Sequence, residues 1–137
     1  MPQGQASGVR RGARFVRKHR LLRHADFDRV YQQGRRQFSA HMTLFFLGRE
    51  GGDPGPRVGF TVGRVMGGAV LRNRIKRRLR EAVRHNLERL TLAVDVVINP
   101  KKSALEMPFP ELCDEVAAGF AAIAKKSRTE AGRNNIG

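Results

Sequence analysis

Between Arg72 and Arg80 the chain reads RNRIKRRLR: six of nine positions are basic, and the apolar residues between them, Ile75 and Leu79, stand four apart. A helix pinned by that apolar pair sends its guanidinium groups outward together. Projection at about 100° per residue sets Arg74, Arg77, Arg78, Arg80 and Arg84 opposite the stripe, with Lys76 at its edge. Strict periodicity puts Arg72 under the stripe, which assigns it to the opening turn. The alternative is a solvated charged face laced with ion pairs. That face needs acids, and only Glu81 and Glu88 stand nearby. Unneutralised arginines at this density repel one another, and phosphates relieve the repulsion. A planar guanidinium also bridges phosphate oxygens and stacks on bases, which suits RNA.

A second group is aromatic. Phe27, Val30 and Tyr31 recur at i, i+3 and i+4, and the run from Phe38 to Leu47 alternates Met42, Leu44 and Phe46 onto one face and Thr43, Phe45 and Leu47 onto the other. Aromatics at helical spacing ordinarily pack a core. A strand with two apolar faces has one to spare, and on a basic protein a surplus aromatic face is a stacking platform for unpaired bases.

Catalytic inventories are thin by comparison. His19, His24, His41 and His85 stand singly, none at ligand spacing from a cysteine or a carboxylate pair. Cys113 is the lone cysteine and reads as a small apolar residue of an amphipathic helix. Asp114 and Glu115 are the adjacent acids, and neighbours on a helix diverge by about 100° rather than converge on one ion. A nuclease working through its own side chains needs clustered carboxylates or histidines, and the pattern supplies neither.

A chain of 137 residues accommodates one domain with tails. Lysine and arginine total 27 against 12 acids, a formal charge of +15, far beyond what solubility requires. The partner is a polyanion. No apolar run approaches spanning length and no signal pattern is present, so a membrane is excluded and the cytoplasm expected.

The elements that position these groups read as follows. Residues 1–23, with seven basic residues and no acid, form a flexible basic arm. A short helix runs from Ala25 to Gln33, stopped by Gly34. Two antiparallel strands, Phe38–Leu47 and Arg57–Gly63, flank a turn at Gly51–Pro56. A long helix spans Ala69–Leu90, a buried strand Val94–Asn99, and a last helix Phe109–Lys126, followed by a loose tail. The fold class is α+β: a single domain over 24–127 in the order helix, strands, helix, strand, helix, with flexible tails at 1–23 and 128–137. The strand at Gly59–Gly63, the long helix and the strand at Val94–Asn99 make a βαβ unit.

The segment from Gly67, GGAVLRNRIKRRLREAVR, resembles the signature of the bacterial ribonuclease P protein subunit, whose arginine-asparagine-arginine core stands here as Arg72-Asn73-Arg74. The likeness extends to RLLRHADFDRVYQQG at Arg20–Gly34, PRVGFTV at Pro56–Val62 and VDVVINPKKSA at Val94–Ala104. It departs where the family typically carries Ser-Lys-Lys and then Gly-Asn. Here Gly63-Arg64-Val65 and Gly67-Gly68 stand instead, so one charge and one amide are absent at Val65 and Gly68, and Arg64 keeps the other charge.

The resemblance implies a ribosomal-protein-S5-like two-layer sandwich with a left-handed βαβ crossover, where general chain physics favours the right-handed one. It implies that Arg72, Asn73, Arg74, Lys76, Arg77, Arg78 and Arg80, with Arg64 and Arg84 beside them, face a catalytic RNA. It implies a cleft lined by Phe27, Tyr31 and Phe45 that takes the single-stranded 5′ leader of precursor tRNA. The protein would be an accessory subunit, inactive alone and monomeric apart from the ribonucleoprotein, with Mg2+ held chiefly by the RNA and substrate. A ribosomal or chaperone-like RNA-binding protein has the same basic helix without the cleft and stands as the alternative.

Overall fold

The computed structural model describes residues 17–50 and 55–136. The expected arm over 1–16 and most of the expected turn, 51–54, lie outside the described residues. Three helices, α1 (His24–Gln33), α2 (Ala69–Arg84) and α3 (Phe109–Ile136), accompany four strands. These are β1 (Arg35–Phe38), β2 (Met42–Gly48), β3 (Pro56–Phe60) and β4 (Val94–Pro100), in the sheet order β1-β2-β4-β3.

β1 and β2 form an antiparallel hairpin, β2 is antiparallel to β4, and β3 lies parallel to β4 with α2 in the connection. The βαβ unit is therefore formed. β2 and β3 run in opposite senses as expected, but they are not neighbours, because β4 inserts between them.

Alternation on β2 sets the layers. Met42, Leu44 and Phe46 are buried and join Val94, Val96, Ile98 and Val58 in one core with Ile75, Leu79 and Val83 of α2 and Leu112, Val116, Phe120 and Ile123 of α3. Each such side chain taken from water contributes about 1.5–3 kcal/mol, so this sandwich carries most of the stability. On the opposite face α1 lies across the sheet, with Val30, Leu21 and Val97 fully covered and Phe27, Tyr31, Phe45 and Leu47 packed around them. Gly34 is required where α1 turns into β1: a Cβ there would stand 2.4 Å from the Val30 carbonyl oxygen and 2.7 Å from that of Phe46.

Several boundaries differ from the sequence reading, and the strand expected over Arg57–Gly63 runs only from Pro56 to Phe60. The strand expected from Phe38 is two strands, and β1 is an exposed edge of polar residues with no apolar alternation to announce it. α2 ends at Arg84, and the buried Asn86 follows it, its amide donating to the carbonyls of Ala82 and Cys113. α3 continues to Ile136, into the expected tail, since no proline follows Lys126 to stop it. The end of the expected arm is docked: Arg17–His19 make a 3-10 turn, and the Leu21 N–H donates to the Val58 carbonyl at 3.0 Å on the outer edge of β3.

Candidate nucleic-acid interface

α2 is held by Ile75, Leu79, Ala82 and Val83, all buried against the sheet and α3. That attachment leaves Asn73, Arg74, Arg77 and Arg80 exposed on its outer side, with exposed Arg64 in the 3-10 turn before it. Lys76 is half-buried at the edge of the face, and with Arg80 it lines a cleft of about 170 Å³ shared with Phe27, Val58, Gly59 and Phe60. Arg72 sits in the opening turn, half-buried, its Nε covered and without a partner among the described residues.

Two arginines of the expected face are engaged within the protein. Arg78 reaches across to the carbonyls of Leu105 and Met107 and ties α2 to the 3-10 turn at Lys102–Leu105. Arg84 pairs with Glu81, Nη2 to Oε2 at 2.9 Å, and its hydrogen bonds hold the Glu81 carboxyl below its ordinary value against the opposing effect of burial. Helical projection fixes where a Cβ points, not where a long flexible side chain ends, so the partners of Arg78 were not legible from spacing, whereas Glu81 stands at i,i+3 from Arg84 on the same helix. Arg74, Arg77 and Arg80 have no ion-pair partner among the described residues.

Phe27, Tyr31 and Phe45 all pack around Leu21, Val30 and Val97 on the α1 face of the sheet, and the cleft of about 170 Å³ is lined by Phe27 without the other two rings. Tyr31 and Phe45 meet edge to face, centroids 4.9 Å apart at 73°. The Tyr31 hydroxyl lies 2.8 Å from both Thr61 Oγ1 and Asn99 Oδ1 and donates to the amide oxygen, which fixes the ring against the sheet. Phe27 packs against Gly59, where a Cβ would stand 2.4 Å from its Cζ. All three rings are half-buried. Gly59→Ala is accordingly expected to push Phe27 out of its seat and to lower stability by about 1–3 kcal/mol in a denaturant titration. An unchanged unfolding midpoint would show that the ring is not seated there.

Beside this cleft lies a cluster that the aromatic pattern did not announce. Asp95 of β4, its side chain only 2% exposed, accepts from Arg57 Nε at 2.8 Å and Nη2 at 2.7 Å and from Arg49 Nη1 at 2.9 Å. Arg29 of α1 bonds Asp26 at 2.8 Å and reaches Asp95 at 3.4 Å, joining helix to sheet. Burial pushes the Asp95 carboxyl upward, but Arg57 and Arg49 together hold it below the ordinary carboxylate value, and Asp95 in turn raises Arg57. The available signal was an acid inside an apolar strand, VDVVI, because a buried charge is retained only with a partner.

These carboxylates do not fit a metal ion. The Asp95 and Asp26 oxygens are occupied by guanidinium groups, Glu81 by Arg84, and Glu115 Oε2 accepts from the Ser39 hydroxyl and the His41 N–H, each at 2.8 Å. No group of three potential metal ligands occurs among the described residues, and none of the helices described there is long and apolar enough to cross a membrane. What the surface offers is cationic and aromatic: exposed guanidinium groups on α2 and half-buried rings on the α1 face of the sheet.

Comparison with known proteins points the same way. The ribonuclease P family model matches residues 15–124. The ribonuclease P protein component of Symbiobacterium thermophilum is 43% identical over 102 residues, 74% of this chain and 88% of that one. That of Geobacter sp. (strain M21) is 39% identical over 112 residues, 82% and 94% of the two chains. Among solved structures, the Staphylococcus aureus RNase P protein superposes with a TM-score of 0.66 at 27% identity, covering 78% of this chain and 95% of its own. The Thermotoga maritima protein gives 0.67 at 25% identity, over 75% and 96%. With the family model spanning most of the sequence and these relatives matched over most of their own length, the chain belongs to the ribonuclease P protein family, the accessory subunits of that endoribonuclease.

Proposed function

We propose that the chain binds the ribonuclease P RNA through the exposed side of α2 and the 5′ leader of precursor tRNA through the Phe27, Tyr31 and Phe45 cleft, assisting removal of the leader. The observation that carries this reading is the trio Arg74, Arg77 and Arg80, outward-facing on one helix and unmatched by any acid of the described residues. Asn73, Arg64, Lys76 and Arg72 border the trio and extend the same surface. Arg78 and Arg84 act from within, holding the helix in place. Phosphodiester hydrolysis belongs to the RNA, with Mg2+ held by RNA and substrate. The protein neutralises phosphate charge and holds the leader by stacking and packing, so that the precursor is favoured over the mature tRNA that lacks it.

Counterion release supplies the test. Each phosphate neutralised contributes about 0.9 to the slope of log affinity against log salt. The triple variant Arg74→Ala, Arg77→Ala, Arg80→Ala is expected to flatten that slope by about two to three for the ribonuclease P RNA, with an unchanged melting temperature because all three side chains are exposed. A slope equal to the wild type's would move the RNA surface off α2.

A further inference from the structure

Resting on the reading of the aromatic cleft as the leader site, we propose that the single-stranded leader continues past the cleft onto β1, where Phe38 stacks one more base and Arg36 neutralises the phosphate beside it. In the hairpin register Arg36 stands opposite Phe45 and Phe38 opposite Thr43. Alternation therefore sets both side chains on the α1 face of the sheet, the face that carries the cleft. The Arg36 guanidinium carbon lies 5.6 Å from the centroid of the Phe45 ring, so charge and aromatic surface are already joined at the boundary between the two strands. Phe38 lies diagonal to Phe45, about 7–8 Å away along the hairpin, and is 68% exposed.

A single exposed phenylalanine is ordinary on a protein surface. This one continues an aromatic row of Tyr31 and Phe45 and adjoins a cation, which is the composition of a single-strand platform. Pairing with a second copy along β1 accounts for it less well. Lys126 Nζ already caps the Arg36 carbonyl on the open edge at 3.2 Å, and β1 paired with itself would bring arginines together.

Geometry also orders the path. Lys76 and Arg80 of α2 share a cleft with Val58, Gly59 and Phe60 of β3, so the basic helix stands at the β3 side of the sheet. The strand order β1-β2-β4-β3 puts Phe38 at the far side. A leader whose root is held beside α2 crosses Phe45 first and reaches Phe38 only when it is long enough.

The experiment measures equilibrium binding of precursor tRNAs to the complex of full-length protein and RNA, with the leader lengthened one nucleotide at a time. Phe38→Ala is expected to reduce the affinity gained over the last steps of lengthening by about 5- to 100-fold, while Phe38→Trp retains the gain. Arg36→Gln should reduce it and flatten its salt dependence. Phe45→Leu reports separately on the cleft, by removing the gain from the earlier steps. Full wild-type length dependence in Phe38→Ala, or a loss equal at every leader length, overturns the proposal even where Phe45→Leu behaves as expected. Loss of the late gain alone, with Phe45→Leu silent, supports the β1 site and withdraws the cleft reading. Should the free protein sediment as a dimer that Phe38→Ala dissociates, β1 is a self-association edge and the proposal fails.

Discussion

Replacing Arg57 with methionine is expected to destabilise the fold by about 3 kcal/mol at neutral pH, the lower end of what removing one partner of a buried ion pair costs. Arg57 grips Asp95 through two hydrogen bonds, and the Asp95 side chain is nearly inaccessible, so water cannot replace the lost donors. Arg49 still donates to Asp95 at 2.9 Å, which keeps the loss from the upper end of that range. The pair Arg49→Met with Arg57→Met removes that remainder as well and should lose more than either change alone.

The pH dependence has a definite sign. In the native protein the Asp95 carboxyl is held below its ordinary value, so its contribution is fully present above the unfolded value of about 3.9 and fades as pH falls through the lower folded value. Without Arg57 the effect of burial, which pushes the carboxyl up, is opposed by Arg49 at 2.9 Å and by the more distant Arg29 at 3.4 Å. The acid limb of the stability profile should therefore move to higher pH in Arg57→Met. Denaturant unfolding at a series of pH values between about 3 and 7 measures both effects. A variant with the wild-type midpoint and the wild-type acid limb would mean that Arg57 and Asp95 are solvent-separated in solution.

The second large effect is in reconstitution. Protein freed of RNA is expected to leave 5′-extended precursor tRNA intact, and to lower the magnesium needed for cleavage when mixed with a bacterial ribonuclease P RNA. The first half follows from where the carboxylates are. Asp26 and Asp95 bind arginines, Glu81 binds Arg84, Glu115 caps the β1–β2 turn, and Asp28 faces His24 at 3.4 Å, and no group of three potential metal ligands occurs among the described residues. The second half follows from charge. Two RNAs associate against phosphate repulsion that magnesium screens, and fifteen net positive charges on a small protein reduce the magnesium required for the same screening. Cleavage rates across a magnesium series with protein, RNA and both give the answer. Activity from rigorously RNA-free protein would overturn the first half, and an unshifted magnesium midpoint would show that the protein's charge does not replace magnesium between the two RNAs.

The basic helix, the aromatic spacing of α1, the buried strand β4 and the βαβ order were all legible in the sequence, because hydrophobic period and charge density are properties of contiguous residues. Ile75 and Leu79 pin α2 as their spacing says, and Arg74, Arg77 and Arg80 point outward as projection says. The engagement of Arg78 with carbonyls 27 and 29 residues away was not legible, because the partner belongs to another segment and the side chain is long enough to choose it. β1 was invisible for a different reason: an exposed edge strand is stabilised by its ladder to β2 and carries no apolar alternation of its own. Asp95 stood out as a misplaced charge, yet the three arginines that meet it come from α1, β3 and the end of β2, and only the packing of α1 across the sheet brings them within reach. Local chemistry thus determined which elements form and which residues carry charge. Tertiary contacts decided which of those charges remain available to RNA, since a guanidinium satisfied by a neighbouring carbonyl or carboxylate gains little by exchanging it for a phosphate.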